Sequence, residues 1–199
     1  MLKAILFDMD GTITCPHIDW HALRQRVGAP QGVPIMEYAD SLSNPQKERA
    51  HALVEAAEME AAEQAVLNPG ARELLVELRA YPLRLALVTN NNRKAMRTIV
   101  DKFRLDFDLL LSREDAPLKP APDLVLRALE RFKLAPTQAC FVGDGTYDRL
   151  ASQAAGVPYI HLAHDRDTAV TGPTIHALDE LWDYIKLDGA ASGRCQNRQ

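Results

Sequence analysis

The sequence predicts an α/β protein: a doubly wound parallel sheet with a small all-helical insertion after its first strand. Three observations lead there. Five short apolar runs recur along the chain with almost no polar residue inside them, and such strands are buried on both faces, as in parallel sheets. Helical patterns separate the later runs, and strand–helix alternation argues for right-handed βαβ units. One stretch, residues 15–67, breaks the alternation and contains no strand pattern.

The first run, residues 3–7, stops at Asp8-Met9-Asp10-Gly11, and acid followed by glycine ends a buried strand. The second, residues 84–88, stops at Thr89-Asn90-Asn91-Asn92; the others cover 108–111, 139–142 and 157–162. Helices are expected over 71–80 after Pro69-Gly70, over 93–103 after the asparagines, over 123–132 after Pro122, and over 147–155 before Gly156. Within the insertion, residues 19–27, 34–42 and 45–66 read as helices, the last with Ala50, Leu53, Val54, Ala57 and Ala61 at helical spacing. A last helix is expected to anchor to the sheet through Trp182 and Tyr184. The expected division is a discontinuous core over 1–14 and 68–187, a helical cap over 15–67, and a small, polar, disordered tail over 188–199.

Composition narrows the function. A formal net charge of −4 and the lack of any long Lys/Arg run leave no electrostatic footprint for nucleic acid. No apolar stretch approaches the ~20 residues of a membrane span, and the first eight residues do not read as a signal peptide. Cys15, Cys140 and Cys195 are scattered and lack a CxxC pair, so neither disulfides nor zinc are expected, and a reducing cytoplasm is the simplest setting. Oligomeric state has no signature here.

In an open parallel sheet ligands bind beyond the carboxyl ends of the strands. The first strand delivers Asp8 and Asp10 there, the second Thr89 and Asn90, the fourth Asp144 with Asp148 just inside the next helix, and the loop after the third brings Lys119. Clustered carboxylates disfavour one another's ionised form. A divalent cation and Lys119 would relieve that cost, and an oxygen-only ligand set points to Mg2+ rather than zinc.

These segments, Asp8-Met9-Asp10-Gly11-Thr12, Thr89-Asn90, Leu118-Lys119-Pro120 and Gly143-Asp144-Gly145-Thr146-Tyr147-Asp148, resemble the four motifs of the haloacid dehalogenase superfamily, nearest to its phosphoglycolate phosphatase-like members. The resemblance covers the chain to about residue 187. It implies a Rossmann-like core and phosphatase chemistry on a small phosphate ester. Asp8 would be the nucleophile that becomes an aspartyl phosphate, and Asp10 the general acid and base, its carbonyl also a metal ligand. Amides around Gly11 and Thr12, the Thr89 hydroxyl and the Asn90 amide would meet phosphate oxygens. Lys119 would steady nucleophile and phosphoryl group. Asp144 would ligate magnesium, with Asp148 as the second acid, ligating through water or orienting Lys119.

Each piece has a plainer reading alone: a polar turn at Asp8–Thr12, a helix cap at Thr89-Asn90, a surface lysine at Lys119. Their order at successive strand ends argues against coincidence. Asp123 reads as a helix first-turn residue, His17 and His21 as polar surface of the insertion, and Cys140 as core. Arg24 and Arg26 read as solvated helix charges or as contacts to a substrate anion. A phosphosugar mutase could use the same core residues. A dehalogenase needs neither the general acid nor magnesium, and a non-catalytic binding protein would be expected to have lost a motif residue.

Overall fold

The computed structural model describes residues 1–164 and 172–185. The five apolar runs become the strands β1 (Ala4–Phe7), β2 (Arg84–Val88), β3 (Leu109–Leu111), β4 (Ala139–Gly143) and β5 (Tyr159–Leu162). A sixth, β6 (Thr174–Ile175), adds parallel to β5. It has no counterpart in the sequence reading, because two residues are too few to carry a periodicity. All pairings between the described strands are parallel and their order is β3-β2-β1-β4-β5-β6. The chain therefore builds one half of the sheet outward from β1, then returns to β4 and builds the other. The switch point lies between β1 and β4, where doubly wound sheets open a crevice for ligands. Phe7 lies opposite both Leu87 and Val142, so the residues following these strands emerge together at one edge.

Seven helices are described: α1 (Trp20–Val27), α2 (Ile35–Ser41), α3 (Gln46–Gln64), α4 (Ala71–Leu78), α5 (Arg93–Phe103), α6 (Asp123–Phe132) and α7 (Thr146–Ala154). The alternation along β1 divides the core. Ile5 and Phe7 join Leu85, Leu87 and the apolar faces of α4 and α5. Ala4 and Leu6 join Ala86, Phe141 and the apolar faces of α6 and α7. Helices thus cover both faces of the sheet, which is why its strands are apolar on both sides.

α1, α2 and α3 share a separate small cluster of Leu23, Ala29, Ile35 and Val54. The last turns of α3 do something else: Ala62, and Ala65 just beyond, join the main core with Met59 packed against it. Asn68, which follows Val66 and Leu67, donates from Nδ2 to the carbonyls of Gly11 (2.9 Å), Thr12 (2.8 Å) and Thr14 (3.3 Å). The far end of the insertion is thereby fastened to the loop that leaves β1.

Where a last helix was expected, Leu178–Asp183 forms a 3₁₀ helix. Trp182 packs on Tyr81 with ring centroids 5.4 Å apart. Tyr184 lies just past the helix, half exposed, and its hydroxyl donates to Thr174 O at 2.9 Å. The segment 188–199, with Cys195, lies outside the described residues.

Candidate active site

The sequence places apolar residues up to Phe7, and the strand carries Asp8 out at its end with its N–H still on Val142 O (2.9 Å). Lys119 reaches in from the loop after β3 and is 3% exposed. Its Nζ donates to Asp8 Oδ1 and Asp148 Oδ1, both at 2.6 Å, and to Val88 O at 2.9 Å. All three ammonium protons are thus satisfied, as a buried charge requires. Burial disfavours the Lys119 charge, but the Asp148 and Asp8 carboxylates outweigh it and hold its pKa above the usual lysine range. Burial first, then the Asp148 charge, raises Asp8 well above the usual carboxylate range, and Lys119 pulls it back.

Asp144 follows β4 and approaches the turn after β1. A Cβ at Gly11, whose φ is +82°, would stand 2.0 Å from Asp144 Oδ2. Only glycine leaves room for that carboxylate at this backbone angle. Burial and the Asp148 charge push Asp144 up to about 6, with His164 lowering it from 3.5 Å away. Asp8, Asp144 and Asp148 each offer an oxygen within 4.8 Å of the others. Three carboxylates so close, with one ammonium among them, make a hard oxygen donor set of the kind divalent cations take. The residues present fit a divalent metal.

Asp10 directs its carboxylate elsewhere, accepting from Asn91 Nδ2 (2.6 Å) on Oδ2 and Thr14 Oγ1 (3.2 Å) on Oδ1. Burial raises its pKa, and those two hydrogen bonds restrain the rise. Thr89 Oγ1 accepts from Asn91 N at 3.1 Å, leaving its own proton free to donate. The Asn90 side chain brackets the Lys119 backbone, accepting from its N (2.9 Å) and donating to its O (2.8 Å).

A cleft of about 1080 Å³ opens over this edge, with Asp8, Asp10, Thr89, Asn90, Lys119, Asp144 and Asp148 in its wall. Trp20, Arg24, Ile35, Val54 and Glu58 from the insertion line it as well. The strand ends therefore bring seven of the nine expected site residues to one cavity. Gly11 and Thr12 are not in its lining: Gly11 packs on Asp144, and the Thr12 hydroxyl is buried without a partner among the described residues.

Arg24 does reach the cleft wall, while its Nη1 donates to the carbonyls of Pro30 and Val33. Arg26 and His21 are exposed and outside that lining, and His17 pairs with Gln64 Oε1 at 3.0 Å. Burial pushes the Cys140 thiol up to about 12, so it is inert core. Sequence reasoning assigned no role to Asn91, Glu58, Arg113, Asn68, His164 or Tyr159. Tyr159 Oη donates to Gly143 O at 2.7 Å and holds the loop that carries Asp144. A buried acid in phase with Val54, four residues on in α3, was the one available signal for Glu58.

A parallel α/β sheet with a carboxylate-lined crevice at its switch point is built to hold a ligand beyond its strand ends. The family model described as haloacid dehalogenase-like hydrolase matches residues 15–162, and the chain belongs to that family. A haloacid dehalogenase-like hydrolase domain-containing protein of Arabidopsis thaliana is 29% identical over 198 residues, covering 94% of this chain and 80% of the relative. A phosphoglycolate phosphatase of Pseudomonas putida is 26% identical over 211 residues, covering 90% and 77%. The crystal structure of a HAD-superfamily hydrolase, subfamily IA, variant 1, from Geobacter sulfurreducens superposes with a TM-score of 0.65 at 23% identity, covering 93% of this chain and 97% of that one. At that identity the likeness shows the fold.

Proposed function

We propose that this hydrolase is a magnesium-dependent phosphatase, transferring the phosphoryl group of a small phosphorylated metabolite first to Asp8 and then to water. The observation that carries the reading is Lys119 Nζ, 2.6 Å from both Asp8 Oδ1 and Asp148 Oδ1 at the floor of the cleft. A buried ammonium works against burial to favour the ionised nucleophile, and it offsets the charge of an arriving phosphate. Asp8 attacks phosphorus, the bond to the ester oxygen breaks, and Asp10 gives that oxygen its proton. Asp10 then takes a proton from water, which opens the acyl phosphate and releases phosphate. Burial of Asp10 favours the protonated form that the first step needs. Asp8, Asp144 and Asp148, with the Asp10 carbonyl, would hold magnesium, whose charge would stabilise the transferring oxygens.

Residues 15–67 act in this reading as a cap that selects substrate. Its residues Trp20, Ile35 and Val54 add apolar surface to the lining of the cleft. The relatives named phosphoglycolate phosphatase support a small phosphorylated metabolite as substrate.

A panel of phosphorylated metabolites assayed for free phosphate with magnesium tests the reading, and free phosphate also separates a phosphatase from a mutase. Asp8→Asn keeps the side-chain shape and removes the attacking charge, so phosphate release should fall to background. A folded Asp8→Asn protein that turned over at near the parent rate would sink the aspartyl-phosphate route.

A further inference from the structure

Glu58 is a buried acid that the chemistry above does not use. It lies in the middle of α3 and is 2% exposed. Its Oε2 accepts from the backbone N–H of Asn92 (3.1 Å) and from Asn92 Nδ2, and its Oε1 accepts from Arg113 Nη1. Burial raises its pKa, and the Arg113 charge and Asn92 donors pull it down. A carboxylate placed so deep is costly unless its oxygens are satisfied, and here both are satisfied by core residues across the seam from the insertion.

The partner loop is what gives Glu58 a consequence. Asn92 is fixed at both ends of its side chain, since Oδ1 also accepts from Ala95 N (2.8 Å) and caps α5. Its neighbour Asn91 donates to Asp10 Oδ2 at 2.6 Å, and Arg113 N donates to Asn91 O at 3.2 Å. Asn90 brackets Lys119. Three consecutive asparagines thus hold, in order, the buried lysine, the carboxylate read as general acid, and Glu58.

We propose that Glu58 is a positioning residue: through Asn92 it holds the 90–92 loop where Asn91 can aim Asp10 at the leaving oxygen. The inference rests on the phosphatase reading and adds that the insertion contributes to proton transfer as well as to the cleft wall. A purely structural ion pair between α3 and α5 would behave differently, lowering stability and slowing every substrate alike.

The test compares an alkyl phosphate with nitrophenyl phosphate in single turnover, with magnesium, alongside thermal melts. A nitrophenolate needs little help from a general acid, and an alkoxide needs much. In Glu58→Ala, leaving-group release from the alkyl ester should fall about tenfold, release from the nitrophenyl ester no more than about twofold, and KM should change little. Asn91→Ala should show the same selectivity. The double variant should fall no further than Asn91→Ala alone, because both act through one chain of contacts. Should Glu58→Ala not fold, Asn92→Asp decides by the same ratio: it keeps the helix cap while setting a like charge against Glu58. Equal slowing of the two esters in a folded variant, or losses that multiply in the double variant, would overturn the positioning role while the parent remains an active phosphatase. A parent that releases no phosphate from any ester would overturn the phosphatase reading and this inference with it.

Discussion

Asp144 shows how far one residue departs from its ordinary behaviour when the fold surrounds it with like charge. Burial and Asp148 push its pKa up to about 6. A carboxyl raised in the folded state contributes stability while protonated and loses it on ionising, so the folded protein weakens as pH rises from about 4 through about 6. At pH 8 in chelator the charge is present and uncompensated by metal. Asp144→Asn removes it and should raise the melting temperature by roughly 2–4 °C, the shift expected for about 1 kcal/mol in a chain of this size. The gain should shrink as pH falls through about 6 and vanish below about pH 3, where Asp144 is protonated in both states. Added magnesium should stabilise the parent more than the variant. A variant that melts lower than the parent at pH 8 in chelator would mean that the Asp144 charge is not a burden in the metal-free protein.

At the scale of elements, α3 belongs to two structures at once. Its middle turns close the small cluster with Leu23 and Ile35 through Val54, with Leu53 and Ala57 packed against it, while Met59, Ala62 and Ala65 pack in the main core. Asn68 then satisfies three carbonyls of the loop after β1, and losing such a donor leaves buried acceptors at about 1–3 kcal/mol in all. Two excisions should therefore part company. Replacing residues 19–56 with a flexible linker keeps the core-facing turns and Asn68. It should give a cooperative melt, basic phosphoryl chemistry and altered preference among substrates. Replacing residues 16–68 removes those anchors and should yield a protein without a cooperative melt. Cooperative folding of the longer excision would show that the end of α3 is dispensable to the core, and unchanged relative rates in the shorter one would deny the insertion a role in specificity.

For the whole molecule, core and site are separable. Apolar packing covers both faces of the sheet, so a metal held at its edge would serve the site rather than the fold. Chelation should abolish phosphate release while leaving the far-ultraviolet circular dichroism spectrum unchanged, and magnesium should restore activity. Full activity after exhaustive chelation would remove the metal from the mechanism. Calcium should restore little, because its larger and looser shell misplaces Asp8 relative to phosphorus.

The sequence by itself determined the buried parallel strands and the residues at their ends. Each apolar run had to be covered on both faces, and the first three stopped at a polar residue. Asp8, Asp10, Thr89, Lys119, Asp144 and Asp148 were legible because parallel strands deliver their ends, and the segments that follow them, to one edge. Sequence periodicity also placed α5 and α6 at their observed bounds. Tertiary structure decided what local pattern cannot encode. The bond from Asn91 to Asp10 spans 81 residues, that from Asn68 to Gly11 spans 57, and that from Asn92 to Glu58 spans 34. Neither an asparagine in a loop nor a glutamate in an Ala/Glu-rich helix announces a partner. β6 pairs through only two residues, and Gly11 is needed because of a carboxylate that arrives from β4. Periodicity reports which face of an element is buried. Which polar groups meet across that burial depends on how separate elements pack, and that becomes visible only once the chain is folded.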